Sequence, residues 1–310
     1  MPADATRPAG PPPAAAPLLE IRDLAVDYPN RHGRGRRRVL DGIHLQVRPG
    51  ETVGLVGESG SGKTTLGRAV LGLVAPSRGT IIFGGHDIAG QRRGHRGYRQ
   101  RRALSAELQA VFQDPYSSLN PARTVFQALA EPLSVHRRQR RAAAEQDVQA
   151  MLRRVGMPPD ATHRYPREFS GGQRQRIAIA RALMVGPRLV ICDEPLSALD
   201  LSVQAQILNL LGSLQAESGI SYLLISHDLA VVGHLAHQIA VLRDGQIVES
   251  GPTAEVIAAP SHPYTRALID AAPRPDPAQQ RARRAQQAAA HAAPAATPPT
   301  PSRPDPARHG

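Results

Sequence analysis

Nine consecutive residues suggest chemistry: Gly57-Glu58-Ser59-Gly60-Ser61-Gly62-Lys63-Thr64-Thr65. Their spacing is G-x-x-x-x-G-K-[ST]. Small residues let backbone N–H groups close around phosphate oxygens. Lys63 is a compact cation suited to β- and γ-phosphates, and the Thr64 hydroxyl suits Mg²⁺. The implied task is gripping a nucleoside triphosphate. Lys63 is the only lysine; every other one of the 38 Lys and Arg residues is arginine. Lysine stands at the one position where a flexible point charge differs from a planar fork. The loop alone does not choose between a kinase, a GTPase, a motor and a transporter ATPase.

Other residues point to the same chemistry. Leu189-Val190-Ile191-Cys192 is an apolar run that ends in Asp193-Glu194. A buried strand would bring both carboxylates to the carboxyl edge of a parallel sheet, where ligands bind in α/β folds. Asp193 suits Mg²⁺ through water, and Glu194 suits the attacking water. Tyr222-Leu223-Leu224-Ile225-Ser226 repeats the pattern and leads to His227, predicted at the same edge. Ser170-Gly171-Gly172-Gln173 opens a run of helix formers, with Ser170 as the N-cap. It is a second helix start suited to an anion. One polypeptide holding one γ-phosphate does not obviously need it.

The elements that must position these residues follow from the apolar pattern. Thr52 to Val56 reads as a short buried strand and Leu66 to Leu71 as a helix, so the glycine loop joins strand to helix. Leu18 to Tyr28 alternates loosely, as an edge-type strand would. Val39 to Val47, Gly79 to Phe83 and Leu108 to Gln113 also read as strands. Residues 122–163 are mostly helical, with Arg137-Arg138 and Arg140-Arg141 on exposed faces. Gln91 to Arg102 holds six arginines and no acid, and reads as a solvated helix face. Asp244-Gly245 marks a hairpin turn. Tyr28, one of few aromatics, reads by itself as a packed strand-end tyrosine.

Composition bounds the rest. A chain of 310 residues can build one or two domains. A single cysteine, Cys192, excludes a disulfide framework, a four-cysteine zinc site and an iron–sulfur cluster built from this chain alone. The net charge of +12 is compatible with an acidic partner and equally with solvated arginine bias. At 3% aromatic residues and no tryptophan, a base-stacking platform is not expected. No apolar run reaches the roughly 18 residues of a membrane span. Residues 1–17 and 273–310 are rich in Pro and Ala and are expected to be disordered. The former lacks the apolar segment of a secretory signal.

Together these motifs resemble the ATP-binding subunits of ABC transporters, over about residues 18–270. The resemblance adds a Q-loop glutamine at Gln113, a family signature at Phe169-Ser170-Gly171-Gly172-Gln173, a D-loop at Ser197-Ala198-Leu199-Asp200 and a switch histidine at His227. Phe169 replaces the commoner leucine. Tyr28 falls at the A-loop position, which implies adenine stacking. The implied fold is α/β: a P-loop NTPase (RecA-like) mixed sheet core with an antiparallel β subdomain and an inserted helical subdomain at about 114–175. The cassette would span 18–251. The implied cofactors are ATP and Mg²⁺, the latter met by Thr64, Gln113 and Asp193. Two subunits would meet head to tail, the Ser170–Gln173 segment of one closing on the γ-phosphate of the other. Glu194 would polarise the attacking water and His227 would contact the γ-phosphate.

A narrower likeness lies in Val111 to Pro121 and in Ser261-His262-Pro263-Tyr264-Thr265, within a C-terminal element at 252–272. Both segments look like the oligopeptide/dipeptide (and nickel) importer ATPases. That implies a second ATPase subunit (sibling or self), two transmembrane permeases, an extracytoplasmic substrate-binding protein, and a peripheral position on the cytoplasmic face of the inner membrane. Some ATPases of that group carry a C-terminal iron–sulfur cysteine cluster; this chain resembles the cluster-free partner. The competing expectations are a nickel or other small-solute importer, a non-transport ATPase acting on nucleic acid, and a P-loop kinase or GTPase. No specific nucleic acid partner is expected.

Overall fold

Where apolar residues alternate, this chain forms an antiparallel sheet; where they run unbroken, it forms a mostly parallel one. The computed structural model describes residues 16–30, 35–89, 102–112, 119–137 and 141–271. The arginine-rich stretch 91–101, Gln113 to Ser118, the extension 1–15 and the tail 272–310 lie outside the described residues.

The antiparallel sheet has the order β2-β1-β4-β5, from β1 (Leu19–Pro29), β2 (Arg36–Val47), β4 (Arg78–Phe83) and β5 (His86–Asp87). β1 is not the edge strand its loose alternation suggests. Leu19 pairs with Val47 on one side and with Phe83 on the other. The alternation loosens because the register shifts between Ile21 and Leu24, around Asp23, whose φ is 47°. That is a bulge inside the sheet rather than an open edge.

The second sheet has the order β10-β9-β3-β8-β7-β6. Its strands are β3 (Thr52–Val56), β6 (Leu108–Val111), β7 (Leu189–Asp193), β8 (Ser221–Ser226), β9 (Gln238–Arg243) and β10 (Gln246–Pro252). All neighbours run parallel except β10, which returns antiparallel to β9. The five residues of β3, the five of β7 and the six of β8 are all buried, which is why their sequences show no alternation. Burying each large aliphatic side chain contributes about 1.5–3 kcal/mol.

Among the described residues the helices include α1 (Lys63–Val70), α2 (Val125–Arg137), α3 (Arg141–Arg154), α4 (Gly171–Leu183), α5 (Leu201–Ser218), α6 (Leu229–Leu235), α7 (Thr253–Ala258) and α8 (Pro263–Ala271). One core joins the antiparallel sheet to a face of the parallel sheet through Ile21, Leu55, Leu66, Ile81 and Ile225. The other joins the opposite face to the helices through Val56, Leu129, Val148, Ile177 and Leu224. Gly54 lets α6 come close to β3: a Cβ there would stand 2.1 Å from Val232 Cγ1. The parallel register aligns the carboxyl ends of neighbouring strands. Val56 is level with Ser226, and Asp193 with Ile225.

Candidate active site

The loop after β3 folds back on itself. Lys63 Nζ donates to Gly57 O at 2.7 Å and to Glu58 O at 2.8 Å. Lys63 is only 4% exposed. Burial lowers its pKa, while the charges of Glu194, Asp193 and Glu58 oppose that shift. A Cβ on Gly57 would lie 2.1 Å from Leu242 O, so glycine is required by close approach of β9. The hairpin turn after β9 also meets the loop: Gly245 N donates to Ser61 O at 3.0 Å.

The loop fits a polyphosphate. α1 starts at Gly62, φ 112°, with no side-chain cap and no acidic residue in its first turn. Its first N–H groups are therefore available to an anion. The Ser61 hydroxyl is buried and finds no hydrogen-bond partner among the described residues.

Two pairs stand beside the loop. Thr64 Oγ1 donates to Asp193 Oδ1 at 3.1 Å across 129 positions of sequence. Burial pushes the Asp193 carboxyl up; the Thr64 hydrogen bond opposes this, and the Glu194 charge adds to it. A hydroxyl and a carboxylate are hard oxygen donors, the chemistry Mg²⁺ selects. His227 Nδ1 lies 3.4 Å from Glu194 Oε1. Between Glu194 and His227 is a small cavity of about 70 Å³, also lined by Ser226 and Asp228. Glu194 has φ 46°, a left-handed conformation that costs a non-glycine residue roughly 1 kcal/mol or more. It is held by Glu194 N donating to Ile225 O at 2.9 Å and by the Ser197 hydroxyl donating to Glu194 O at 3.2 Å.

Ser170 caps α4 as predicted. Gln173 N donates to Ser170 Oγ at 3.4 Å, and Ser170 N donates to Gln173 Oε1 at 3.0 Å, a reciprocal box. Phe169 is buried, with the Arg164 guanidinium 4.3 Å from its ring centre and Arg174 Nε donating to its carbonyl at 2.8 Å. A Cβ on Gly172 would meet Val203 Cγ1 at 2.5 Å, so this glycine serves packing of α4 on α5 within the same chain. Asp200 caps α5, accepting from Ser202 N and Val203 N at 3.1 and 3.0 Å. Tyr28 is half-buried near the end of β1, paired with Arg37, three residues along β2 from Leu40, which lies against Gly62. Sequence reasoning did not include Tyr264 in the site, though its hydroxyl accepts from Glu58 N at 2.9 Å. The scarcity of aromatics, six tyrosines in all, was the signal available.

A glycine loop, an oxygen pair and a carboxylate–imidazole pair on adjacent strand ends define a P-loop nucleotide-binding cassette. Residues 40–197 match the ABC transporter family model, and residues 248–298 match the oligopeptide/dipeptide transporter C-terminal region. The chain belongs to the ABC transporter family and carries the C-terminal region of its oligopeptide/dipeptide branch. It is 46% identical over 268 residues to the oligopeptide transport ATP-binding protein OppF of Escherichia coli K12, covering 84% of this chain and 79% of that protein. It is 48% identical over 273 residues to the glutathione import ATP-binding protein GsiA of Salmonella paratyphi A, covering 86% of this chain. The chain spans 43% of that relative's length. Among solved structures, a dimeric post-hydrolysis state of the ATP-binding cassette MJ0796 bound to ADP and Pi is similar at TM-score 0.67 and 26% identity, covering 76% of this chain and 99% of that one.

No helix among the described residues is long and apolar enough to cross a membrane.

Proposed function

We propose that the chain is the ATP-hydrolysing subunit of an importer for oligopeptides or dipeptides. The observation that carries this reading is the convergence of Lys63, the Thr64–Asp193 pair and the Glu194–His227 pair at one sheet edge, in a chain whose residues 248–298 match the oligopeptide/dipeptide transporter region. The loop 57–65 would cradle the phosphates with the N–H groups of the uncapped first turn of α1 and the Lys63 ammonium. Tyr28 would stack on adenine. Glu194 would accept a hydrogen bond from the attacking water in the cavity it shares with His227, and His227 would contact the γ-phosphate. Mg²⁺, held by Thr64 and Asp193 with Gln113 as a further oxygen donor, would neutralise charge on the β- and γ-phosphate oxygens.

The Ser170–Gln173 helix start is exposed and capped within itself, and its role is to close on the γ-phosphate of a second ATPase subunit, sibling or self. The similarity to a dimeric cassette supports this pairing. Leu73, Phe112 and Val135 are exposed apolar residues in a groove of about 920 Å³, which we assign to contact with the two transmembrane permeases at the cytoplasmic face of the membrane. An extracytoplasmic binding protein would act through those permeases. On the similarity to a glutathione import ATP-binding protein we include short modified peptides in the proposed solute class.

The test is reconstitution in proteoliposomes with the permeases, second ATPase and binding protein. Peptide-stimulated ATP hydrolysis with peptide uptake is expected. Hydrolysis coupled to nickel but not to peptide would overturn the substrate; tight, salt-dependent binding to duplex DNA without transport would overturn the importer reading.

A further inference from the structure

The peptide unit joining Gly57 to Glu58 is gripped from both sides. Its carbonyl oxygen accepts from Lys63 Nζ at 2.7 Å. Its N–H donates to the Tyr264 hydroxyl at 2.9 Å, although Tyr264 lies 206 positions later. The glycine loop makes the first contact with its own lysine. The second comes from α8, in the region that the oligopeptide/dipeptide branch appends after the cassette.

The hydroxyl is delivered by a fixed frame. Tyr264 is 8% exposed and its ring packs into the core that spans the helices and the parallel sheet. The Arg243 guanidinium, at the end of β9, stands 5.0 Å over that ring. Upstream of α8, the Glu249 carboxylate of β10 accepts from Ser261 N at 2.7 Å, Ser261 Oγ at 2.8 Å and His262 N at 3.0 Å. Tyr264 N in turn donates to His262 Nδ1 at 3.1 Å. Ring, backbone and preceding turn are each held, so the oxygen is preorganised toward the loop.

We propose that Tyr264 is a positioning residue of the nucleotide site: it orients the Gly57–Glu58 peptide, and with it the N–H groups that aim at phosphate. An ammonium has three donors, and Lys63 spends two on Gly57 O and Glu58 O. Turning toward β- and γ-phosphates loosens that grip, and the peptide then depends on Tyr264. The docking of α8 thereby favours nucleotide binding, and by linkage bound nucleotide favours the docking of α8. The inference rests on the reading of residues 57–65 as the phosphate site.

Tyr264→Phe removes one oxygen and keeps the buried ring. In the full-length chain, on a Glu194→Gln background that stops turnover, ATP affinity is measured by calorimetry and amide exchange is followed across residues 55–62. A rise in Kd of about three- to tenfold is expected, with faster exchange at Glu58. In the reconstituted transporter, Tyr264→Phe should raise KM for ATP and change kcat by less than about twofold. Glu249→Gln loosens the approach to α8 without touching the hydroxyl and should shift Kd in the same direction by less. Unchanged affinity and unchanged Glu58 exchange in Tyr264→Phe overturn the proposal, as does an effect in Glu249→Gln alone. Lys63→Ala separates the two levels. If it abolishes binding while Tyr264→Phe is silent, only the role of Tyr264 falls; if it too leaves affinity intact, the phosphate-site reading falls with it.

Discussion

His227 Nδ1 and Glu194 Oε1 lie 3.4 Å apart, each just beyond the end of one of two paired parallel strands. The carboxylate side chain is 19% exposed and the imidazole 56%. The pair is therefore anchored at the carboxylate and open at the ring, the side from which a phosphate can arrive. Glu194→Gln keeps shape and volume but removes the anionic acceptor. Steady-state hydrolysis should fall about a hundredfold or more, while ATP binding persists and a nucleotide-bound dimer accumulates on size exclusion. Normal turnover would remove Glu194 as the activating residue.

Lys63 is buried among carbonyls, a setting that a planar guanidinium does not fit. Both Lys63→Ala and Lys63→Arg should therefore lose ATP affinity in calorimetry, the second despite keeping the charge. Full affinity in Lys63→Arg would mean that charge alone suffices.

Gly54 has no room for a side chain because Val232 fills that space. Gly54→Ala should destabilise the chain by about 1–3 kcal/mol through overpacking. The check is a thermal melt, with a fall of several degrees expected and restoration by the double substitution Gly54→Ala, Val232→Ala.

Cys192 is buried in β7, and burial pushes its thiol up to about 12, with the Asp193 charge adding to the shift. It should resist alkylation at pH 8 in the native chain and react stoichiometrically after denaturation, read by mass spectrometry. Rapid native labelling would mean that β7 opens.

Glu249 carries a pH dependence with a definite sign. Burial opposes its charge, but hydrogen bonds from Ser261 and His262 outweigh that and hold its pKa at about 2, below the ordinary 4.5. A carboxyl depressed on folding stabilises the fold above its unfolded pKa, and that contribution is lost as pH falls through the folded value. Stability from this anchor should be constant at neutral pH and decline between about pH 4.5 and 2. Glu249→Gln should flatten that part of the profile in melts across the range.

The glycine loop, the apolar strands with polar ends at Asp193 and His227, and the Ser170 cap were legible in the residues because each is a local pattern. Spacing along a few residues dictates a turn, a cap or a buried strand without reference to the remainder of the chain. The resemblance they carry named the family. What lies outside that reach is pairing. β1 became an interior strand because both its edges found partners, Leu19 with Val47 and with Phe83. Gly172 turned out to accommodate Val203 within its own subunit.

The same limit explains the site. Adjacent residues 193 and 194 announce two carboxylates, but only the parallel register brings one to Thr64 and the other to His227. Tyr264 reaches Glu58 because β9, β10, α7 and the turn after it carry α8 back to the carboxyl end of β3. Hydrogen bonds between residues that far apart depend on strand order and register, which local periodicity does not encode. The sequence by itself determined which groups could handle a nucleoside triphosphate; the tertiary structure decided which of them meet.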